Sequence, residues 1–380
     1  MNISNKKVAF ITPYIIPRFV NLYNLLFGEI EKDNHFEIKF FIIKPKPVHR
    51  KHQDFSNYYS FNHVIMKTRQ FYFEEKELAI DFPSKLFGEL SSYDPDLIVL
   101  DGFGASYLKA YFFGVLKRKP LVFWNKNTSI KSIKNKTGIL YFLKKLVLSQ
   151  HSYFLAGGDS QRDYITYHYP RAKVDTIPFS LCLDKFSFNG CDKGTRNNNP
   201  SPRARVLYVG ELIFRNGVDL LLNALHGLNQ EVDLLIVGKG NQESELLKIS
   251  RETGVNAKFV GFKDEKELID LYSQADLLVV PSRREPWGIV VSEALAMGLY
   301  VVASDQVGAS DLIEIDENGD IFRTGDFISL RACLRKACSN LEELRKGKEK
   351  RSDDFNCNRN SRIFVSAFIE RIERFLMMDR

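Results

Sequence analysis

Two carboxylates in the second half of the chain have a spacing that brings them to one ligand. Glu285 and Glu293 are separated by seven residues, and the turn Glu285–Gly288 joins an apolar run to a segment with helical spacing. A strand is therefore predicted to end before Glu285, and a helix to carry Glu293 about two turns further on. The free N–H groups at the start of such a helix favour a diphosphate. The two carboxylates are suited to accept hydrogen bonds from sugar and ribose hydroxyls.

The same two glutamates also have a less specific interpretation. One would be a solvated carboxylate beside a loop and the other would lie on an exposed helix face. The Pro-Trp-Gly bend between them and the apolar run before them favour ligand binding over that alternative. No metal-type spacing of histidine or cysteine and no G-x-S-x-G motif occurs, so neither a metal centre nor a serine nucleophile is predicted.

Short apolar runs alternate with segments of helical spacing along the chain, which is typical of βαβ units. The predicted strands are Val8–Thr12, Glu37–Ile43, Asp96–Leu100, Leu121–Trp124, Val206–Val209, Val232–Val237, Lys258–Phe262, Asp276–Pro281 and Tyr300–Ala303. The fold class is therefore predicted to be α/β, with two Rossmann-like, doubly wound domains that face an interdomain cleft. Ligands in such sheets bind at the carboxyl ends of the strands.

A chain of 380 residues is long enough for two hydrophobic cores. A polar stretch rich in Asn, Gly and Pro is predicted to be a linker over 189–205. It separates an N-terminal domain over 1–188 from a second domain over 206–350. The last segment, 351–380, is predicted to be helical and to pack back on the N-terminal domain.

The stretch from Pro281 to Asp305 resembles the signature of retaining GT-B glycosyltransferases of family four, the group 1 glycosyltransferases. The likeness extends over nearly all of residues 205–322 and is weak over 1–190. Segments that resemble the family's phosphate-binding and turn motifs are Tyr208–Gly210 through Arg215–Leu221, Val237–Gly240, Val307–Ala309 and Asn318–Gly319.

The resemblance implies a GT-B fold and a glycosyltransferase that needs no metal or other cofactor. It would move a sugar from a nucleotide-diphosphate donor, UDP- or GDP-linked, to a glycan or lipid-linked acceptor with retention of anomeric configuration. The nucleotide-sugar is then a co-substrate, and the pathway is polysaccharide or glycolipid biosynthesis. The resemblance assigns acceptor binding to 1–188 and donor binding to 206–350.

The resemblance also implies roles for individual residues. Glu285 would contact the hydroxyls of the donor sugar, Glu293 the ribose, and Arg215 would neutralise the departing diphosphate. Glu285 and Arg215 are thus the catalytic candidates. The donor-binding candidates are Gly210, Gly217, Gly238, Trp287, Gly288, Ile289 and Glu293. The three glycines before Trp287 also have a simpler interpretation as tight turns.

The chain departs from the family's pattern at three places. Glu211 stands where the family usually has Arg, and Asn216 stands where it usually has Lys. No His occurs in Trp124–Thr128, where many members carry one, so no general base is assigned. These departures leave open an alternative, a non-catalytic nucleotide-sugar sensor or a partner subunit of a transferase.

The net charge of +7 is concentrated in the first half of the chain. Residues 1–200 carry 29 basic and 18 acidic side chains, and residues 101–150 carry 10 basic and one acidic. The basic run fits either a solvated amphipathic helix face or a peripheral patch that touches anionic lipid head groups. The residues assigned to an acceptor or membrane side are Arg18, Lys126, Lys144 and Lys145.

A nucleic-acid binder is disfavoured, because the second half is acidic and no aromatic-basic platform is visible, so no nucleic-acid partner is expected. No apolar run reaches the roughly 18 residues that a membrane span needs. The five cysteines contain no C-x-x-C pair, which fits a reducing compartment. A cytoplasmic location is expected, with peripheral contact to the inner face of the membrane as a further expectation.

Overall fold

The chain divides into two compact units, Met1–Cys182 with Ser361–Arg380, and Leu183–Asn360. These divisions fall at residues 182 and 360, whereas the sequence placed them near 188 and 350. Most of the expected linker, 189–200, lies outside the residues that the structure describes. This computed structural model describes residues 3–15, 17–43, 56–73, 78–102, 105–125, 153–177, 183, 185–188, 201–228, 231–358 and 361–378.

The first unit is built on a seven-stranded parallel sheet in the order β3-β2-β1-β6-β7-β8-β9. Its strands are β1 (Lys7–Thr12), β2 (Glu37–Ile42), β3 (His63–Ile65), β6 (Leu97–Asp101), β7 (Leu121–Asn125), β8 (Tyr153–Ala156) and β9 (Lys173–Thr176). A separate antiparallel pair consists of β4 (Thr68–Phe73) and β5 (Leu78–Pro83). The strand order reverses between β1 and β6, which makes this sheet doubly wound.

The helices of the first unit pack an aromatic core against this sheet. Trp124 stacks on Phe364 with ring centroids 5.6 Å apart, and Phe368 contacts both Trp124 and Phe10. Since Phe364 and Phe368 belong to the C-terminal helix, that helix is part of the first unit. The helices described here are α1 (Pro17–Lys32), α2 (Leu86–Tyr93), α3 (Ala105–Leu116), α4 (Asp159–His168) and α12 (Ser361–Met377).

The second unit is built on a six-stranded parallel sheet in the order β12-β11-β10-β13-β14-β15. Its strands are β10 (Ala204–Val209), β11 (Val232–Val237), β12 (Ala257–Phe259), β13 (Leu277–Val280), β14 (Tyr300–Ser304) and β15 (Gly319–Phe322). The strands β13 and β14 are buried at every residue, as expected for apolar runs covered on both faces. The order reverses between β10 and β13.

Helices flank the second sheet and alternate with its strands. They are α5 (Val218–Leu225), α6 (Glu243–Thr253), α7 (Glu265–Gln274), α8 (Ile289–Ala296), α9 (Phe327–Ser339), α10 (Leu341–Lys346) and α11 (Lys348–Asn358). The prediction of two doubly wound α/β domains is confirmed. None of the helices in the described part of the chain is long and apolar enough to cross a membrane.

Removing the aromatic contact between α12 and the sheet is expected to lower the stability of the first unit. Phe368 is fully buried, so Phe368→Ala leaves a cavity and should lower the free energy of unfolding by about 4 kcal/mol in urea titrations. The control is Met377→Ala on the same helix, where the side chain is 49% exposed and little change is expected. A loss no larger than that of Met377→Ala would show that α12 does not complete this core.

Candidate functional site

The residues predicted to do chemistry lie in the second unit, where its strand order reverses. The strands β10 and β13 are parallel neighbours, with Leu207 beside Leu278. Gly210 follows the carboxyl end of β10, and Pro281 follows that of β13. A crevice at such a reversal is the usual ligand site of a doubly wound sheet.

The backbone of Glu285 is held in place after β13 by a short parallel bridge to Val307. The N–H of Glu285 donates to the carbonyl of Gln306 at 3.1 Å, and the N–H of Gly308 donates to the carbonyl of Glu285 at 3.0 Å. Both hydrogen-bonding groups of the Glu285 backbone are therefore used, and the carboxylate is positioned by the sheet edge rather than by a free loop.

The Glu285 carboxylate is largely desolvated and faces one nearby cation. Burial raises the pKa of Glu285 above its usual value, while the charge of Arg215 and the backbone N–H of Trp287 lower it by a smaller amount. Arg215 itself is exposed, on the 3₁₀ turn Phe214–Asn216. The site thus combines a half-buried carboxylate with a solvent-facing guanidinium.

The helix α8 starts directly behind this glutamate. Gly288 caps it with φ +91°, and no side chain caps the first turn. A β-carbon on Gly288 would lie 2.9 Å from Val307 Cγ1 and 3.3 Å from Glu285 Cγ, so only glycine fits here without strain. The first residue of the helix, Ile289, is half-buried. The N-terminus of α8 is therefore an uncapped group of N–H donors next to Glu285, which is suited to an anion.

Glu293 lies inside the unit, and the exposed-face interpretation does not hold for it. Its side chain is 1% exposed, and the hydroxyl of Tyr272 donates to its Oε2 at 2.9 Å. Trp287 is also buried, at 5% exposure, and its carbonyl accepts a hydrogen bond from the Ala309 N–H at 2.6 Å. Tyr272 was not singled out from the sequence, because nothing in the spacing of α7 and α8 shows that they meet.

Three glycines let strand ends and loops approach one another closely. A β-carbon on Gly217, which has φ +71°, would lie 2.1 Å from the carbonyl oxygen of Pro281. A β-carbon on Gly238 would lie 1.8 Å from the carbonyl oxygen of Gly210, and one on Gly210 would lie 2.7 Å from the Tyr208 hydroxyl. Backbone crowding alone therefore requires glycine at Gly217 and Gly238, and contact of these glycines with a donor stays a prediction.

An ion pair missed by the sequence reasoning holds the loops of the site together. Arg283 forks onto Asp219, with Nη1–Oδ1 and Nη2–Oδ2 distances of 2.8 and 2.5 Å. The same guanidinium lies 3.9 Å from the ring centroid of Phe214, and its backbone N–H donates to the Arg215 carbonyl at 2.8 Å. The carboxylate partner of Arg283, Asp219, lies on α5.

Asn216 occupies the place where the related family has a lysine. Its side chain is 7% exposed, and its Nδ2 donates to the Glu211 carbonyl at 2.8 Å. The hydroxyl of Tyr208 donates to the same carbonyl at 3.0 Å, and burial raises the pKa of Tyr208. Within the described residues, Asn216 Oδ1 is buried with no hydrogen-bond partner. Asn216 thus positions the loop and does not add a second positive charge.

The residues assigned to an acceptor or membrane side are not placed by the structure. Lys126, Lys144 and Lys145 lie outside the described residues, as does the side chain of Arg18. These assignments stay predictions.

The first unit has its own buried polar cluster at the reversal of its sheet. Thr12 Oγ1 donates to Asp101 Oδ2 at 2.8 Å, and the Tyr107 hydroxyl donates to the Asp101 carbonyl at 2.6 Å. The sequence signal was a polar residue at the end of each of two predicted strands.

Among the residues that the structure describes, no group of three His, Cys, Asp or Glu side chains is arranged to hold a metal ion. Besides the Arg283–Asp219 ion pair and Glu293, the site carries the charges of Glu285, Glu211 and Arg215.

Solved structures with the same fold are GT-B glycosyltransferases, and the chain shares this fold. One is the Anabaena protein Alr3699/HepE, solved in complex with UDP, with a TM-score of 0.75, 15% identity, and coverage of 97% of this chain and 100% of that chain. Another is sucrose-phosphate synthase from Thermosynechococcus elongatus, with a TM-score of 0.71, 18% identity, and coverage of 98% and 99%. At these identities the likeness establishes the fold.

The family model described as glycosyl transferases group 1 matches residues 193–352. The resemblance seen in the sequence is thereby confirmed over that part of the chain, at the level of the group 1 family.

Curated relatives of this chain carry glycosyltransferase names. An uncharacterized glycosyltransferase of Methanocaldococcus jannaschii, MJ1607, is 36% identical over 118 residues, 30% of each protein. The glycogen synthase of Mycobacterium tuberculosis is 34% identical over 137 residues, 35% of this chain and 33% of that enzyme. The chain therefore spans about a third of the length of these relatives.

The close packing of the Gly217 turn against the residue after β13 can be tested by comparing two glycine-to-alanine substitutions. Gly217→Ala should lower the free energy of unfolding by about 3 kcal/mol or more. The new methyl group would clash with the Pro281 carbonyl, and alanine is also strained at the positive φ of this position. Gly227→Ala is the control: its φ is +87°, but no atom lies within 4 Å, so only about 1 kcal/mol should be lost. Equal losses in denaturant titrations would contradict the close approach.

Proposed function

We propose that the protein is a glycosyltransferase that moves a sugar from a nucleotide-diphosphate donor to a glycan or lipid-linked acceptor. The observation that carries this proposal is the placement of Glu285. Its backbone is fixed by the bridge to Val307, and its desolvated carboxylate stands beside Arg215 and the uncapped start of α8. The family match over 193–352 supports the same activity.

The diphosphate of the donor would lie against the first turn of α8. Uncapped N–H groups and the helix dipole attract an anion there, and Arg215 adds a full positive charge from the solvent side. As the bond between sugar and diphosphate breaks, negative charge grows on the diphosphate, and these fixed groups would stabilise it. The Anabaena neighbour binds UDP and UDP-glucose in its solved complexes. We propose that the donor of this chain is likewise a nucleotide-sugar, linked to UDP or GDP.

Glu285 would orient the sugar by accepting hydrogen bonds from its hydroxyls. A carboxylate shielded from water interacts more strongly with a partner than an exposed one. Its charge also suits the positive character that develops on the sugar when the leaving group departs. This role requires the ionised form, and Arg215 and the Trp287 N–H favour that form.

Glu293 would hold the ribose through its carboxylate. The Tyr272 hydroxyl fixes Oε2 and thereby the orientation of the group. We further propose that transfer retains the anomeric configuration, that it needs no metal, and that it serves polysaccharide or glycolipid assembly in the cytoplasm.

A second function is favoured by a specific observation, the neutral Asn216 and the acidic Glu211 beside Gly210. With one cation at the phosphate site, a non-catalytic nucleotide-sugar sensor or partner subunit would bind the donor without turning it over. A panel of nucleotide-sugars scored by thermal shift identifies the donor, because a ligand of the native state raises its stability. Release of free nucleotide from that donor then separates an enzyme from a sensor.

Charge neutralisation at Glu285 is expected to affect stability and activity in opposite directions. Because burial raises the pKa of Glu285 in the folded state, its ionisation opposes folding as the pH rises above the usual glutamate value. Glu285→Gln should therefore raise the free energy of unfolding near about pH 7 and leave it unchanged below the usual glutamate pKa. Sugar transfer should fall about a hundredfold.

The control for this experiment is Glu317→Gln, an exposed glutamate of the same unit, which should change neither quantity. Transfer by Glu285→Gln at the rate of the unmodified protein would refute the assigned role. A stability gain that is the same at acidic and neutral pH would show that ionisation of Glu285 does not oppose folding.

Removing Arg215, whose charge acts on Glu285, should weaken the chemical step. We expect Arg215→Ala to lower kcat/KM for the donor about a hundredfold, because the diphosphate loses its charged partner as it leaves. Arg335→Ala, an exposed arginine on α9, is the matched control and should be neutral. An unchanged kcat/KM in steady-state assays of Arg215→Ala would exclude leaving-group stabilisation by this residue.

A further inference from the structure

The helix α3 of the first unit exposes an apolar face at its C-terminal end. Phe112, Val115 and Leu116 are 59%, 51% and 70% exposed. Their spacing of three and four residues places them side by side on one face of the helix. Three large apolar side chains in one place are unlike the single exposed residues that are ordinary on protein surfaces.

The apolar surface continues onto the neighbouring helix α2. Phe87 is 41% exposed, and its ring meets Phe113 edge-on with centroids 5.1 Å apart. Phe113 is buried and precedes Leu116 by three residues, so it links the two helices. We call Phe87, Phe112, Val115 and Leu116 the α3 patch.

The chain that leaves α3 places two basic residues at the end of this patch. Lys117 and Arg118 are exposed and form no ion pair within the described residues. Asp94, the acidic residue beside them, is already paired with Lys119 at 2.8 Å. The net charge at the edge of the patch is therefore positive.

Arg118 occupies a backbone position that disfavours a residue with a side chain. Its φ is +52°, and its N–H donates to the Val115 carbonyl at 3.2 Å, so it closes the helix in the left-handed conformation. Glycine is the usual residue at this position, because a β-carbon is strained there. Arg118 therefore keeps a guanidinium at the edge of the α3 patch in a backbone conformation that glycine adopts more easily.

We propose that the α3 patch docks on an anionic lipid surface. Such a surface accepts apolar side chains between its head groups and attracts the lysine and arginine at the rim. The surrounding sequence also has a positive net charge, since residues 101–150 include 10 basic residues and one acidic residue.

A second copy of the chain fits this surface less well. A two-fold contact through the α3 patch would bring Lys117 and Arg118 of both copies together, and like charges at an interface oppose association. Docking on lipid uses no step of the proposed sugar transfer, so either proposal can fail while the other stands.

Sedimentation with vesicles tests the docking directly. The full-length protein should bind phosphatidylcholine vesicles that contain about one third phosphatidylserine, and bind pure phosphatidylcholine vesicles weakly. Added salt should weaken the binding to the anionic vesicles. Leu116→Gln should lower the partition coefficient about tenfold. The matched control, Ile328→Gln, changes an aliphatic residue of the second unit with 66% exposure and should leave it unchanged.

Arg118→Gly separates docking from folding. It should lower the partition coefficient about fivefold, because one cation at the surface is lost. Its melting temperature should stay the same or rise, because glycine relieves the left-handed strain.

Three results would overturn the proposal. The first is equal binding to neutral and anionic vesicles. The second is a partition coefficient of Leu116→Gln equal to that of the unmodified protein. The third is a concentration-dependent dimer in sedimentation velocity that Leu116→Gln abolishes. The last result would assign the α3 patch to a second copy of the chain.

Discussion

The short backbone bridge between Glu285 and Val307 is the interaction on which the site depends. It fixes both polar groups of the Glu285 main chain at the edge of the sheet, one step beyond β13. The backbone that carries the carboxylate is therefore fixed before any ligand binds, as preorganised electrostatic catalysis requires. Gly288 completes the arrangement, since a larger residue would meet Val307 and Glu285 itself.

This rigidity has an electrostatic cost that the neighbouring loops partly offset. Burial opposes the charge on Glu285, and Arg215 with the Trp287 N–H favours it. Arg283 contributes indirectly, because its fork onto Asp219 and its backbone bond to Arg215 tie the 3₁₀ turn to the loop after β13. A site that sacrifices folding stability to keep a charge is a frequent property of functional centres.

Much of the architecture followed from local patterns in the sequence. Apolar runs such as those of β13 and β14 are buried on both faces, and their alternation with helices predicted both parallel sheets. Glu285 and the turn into α8 were predicted because they are contiguous in the chain. The pairs Asp219–Arg283 and Tyr272–Glu293 were not, because each joins segments far apart in sequence whose packing is set by the tertiary fold. The exposure of the α3 patch has the same origin, since α3 is apolar almost throughout and only packing decides which face is left uncovered.

An activated sugar is expected to bind where the second sheet reverses its strand order. A crystal structure of the protein with the nucleotide-sugar that gives the largest thermal shift tests it most directly. We expect the diphosphate at the first turn of α8, within reach of Arg215, and the sugar hydroxyls within hydrogen-bond distance of the Glu285 carboxylate. Donor density elsewhere on the molecule, or a Glu285 carboxylate turned away from the bound sugar, would contradict it.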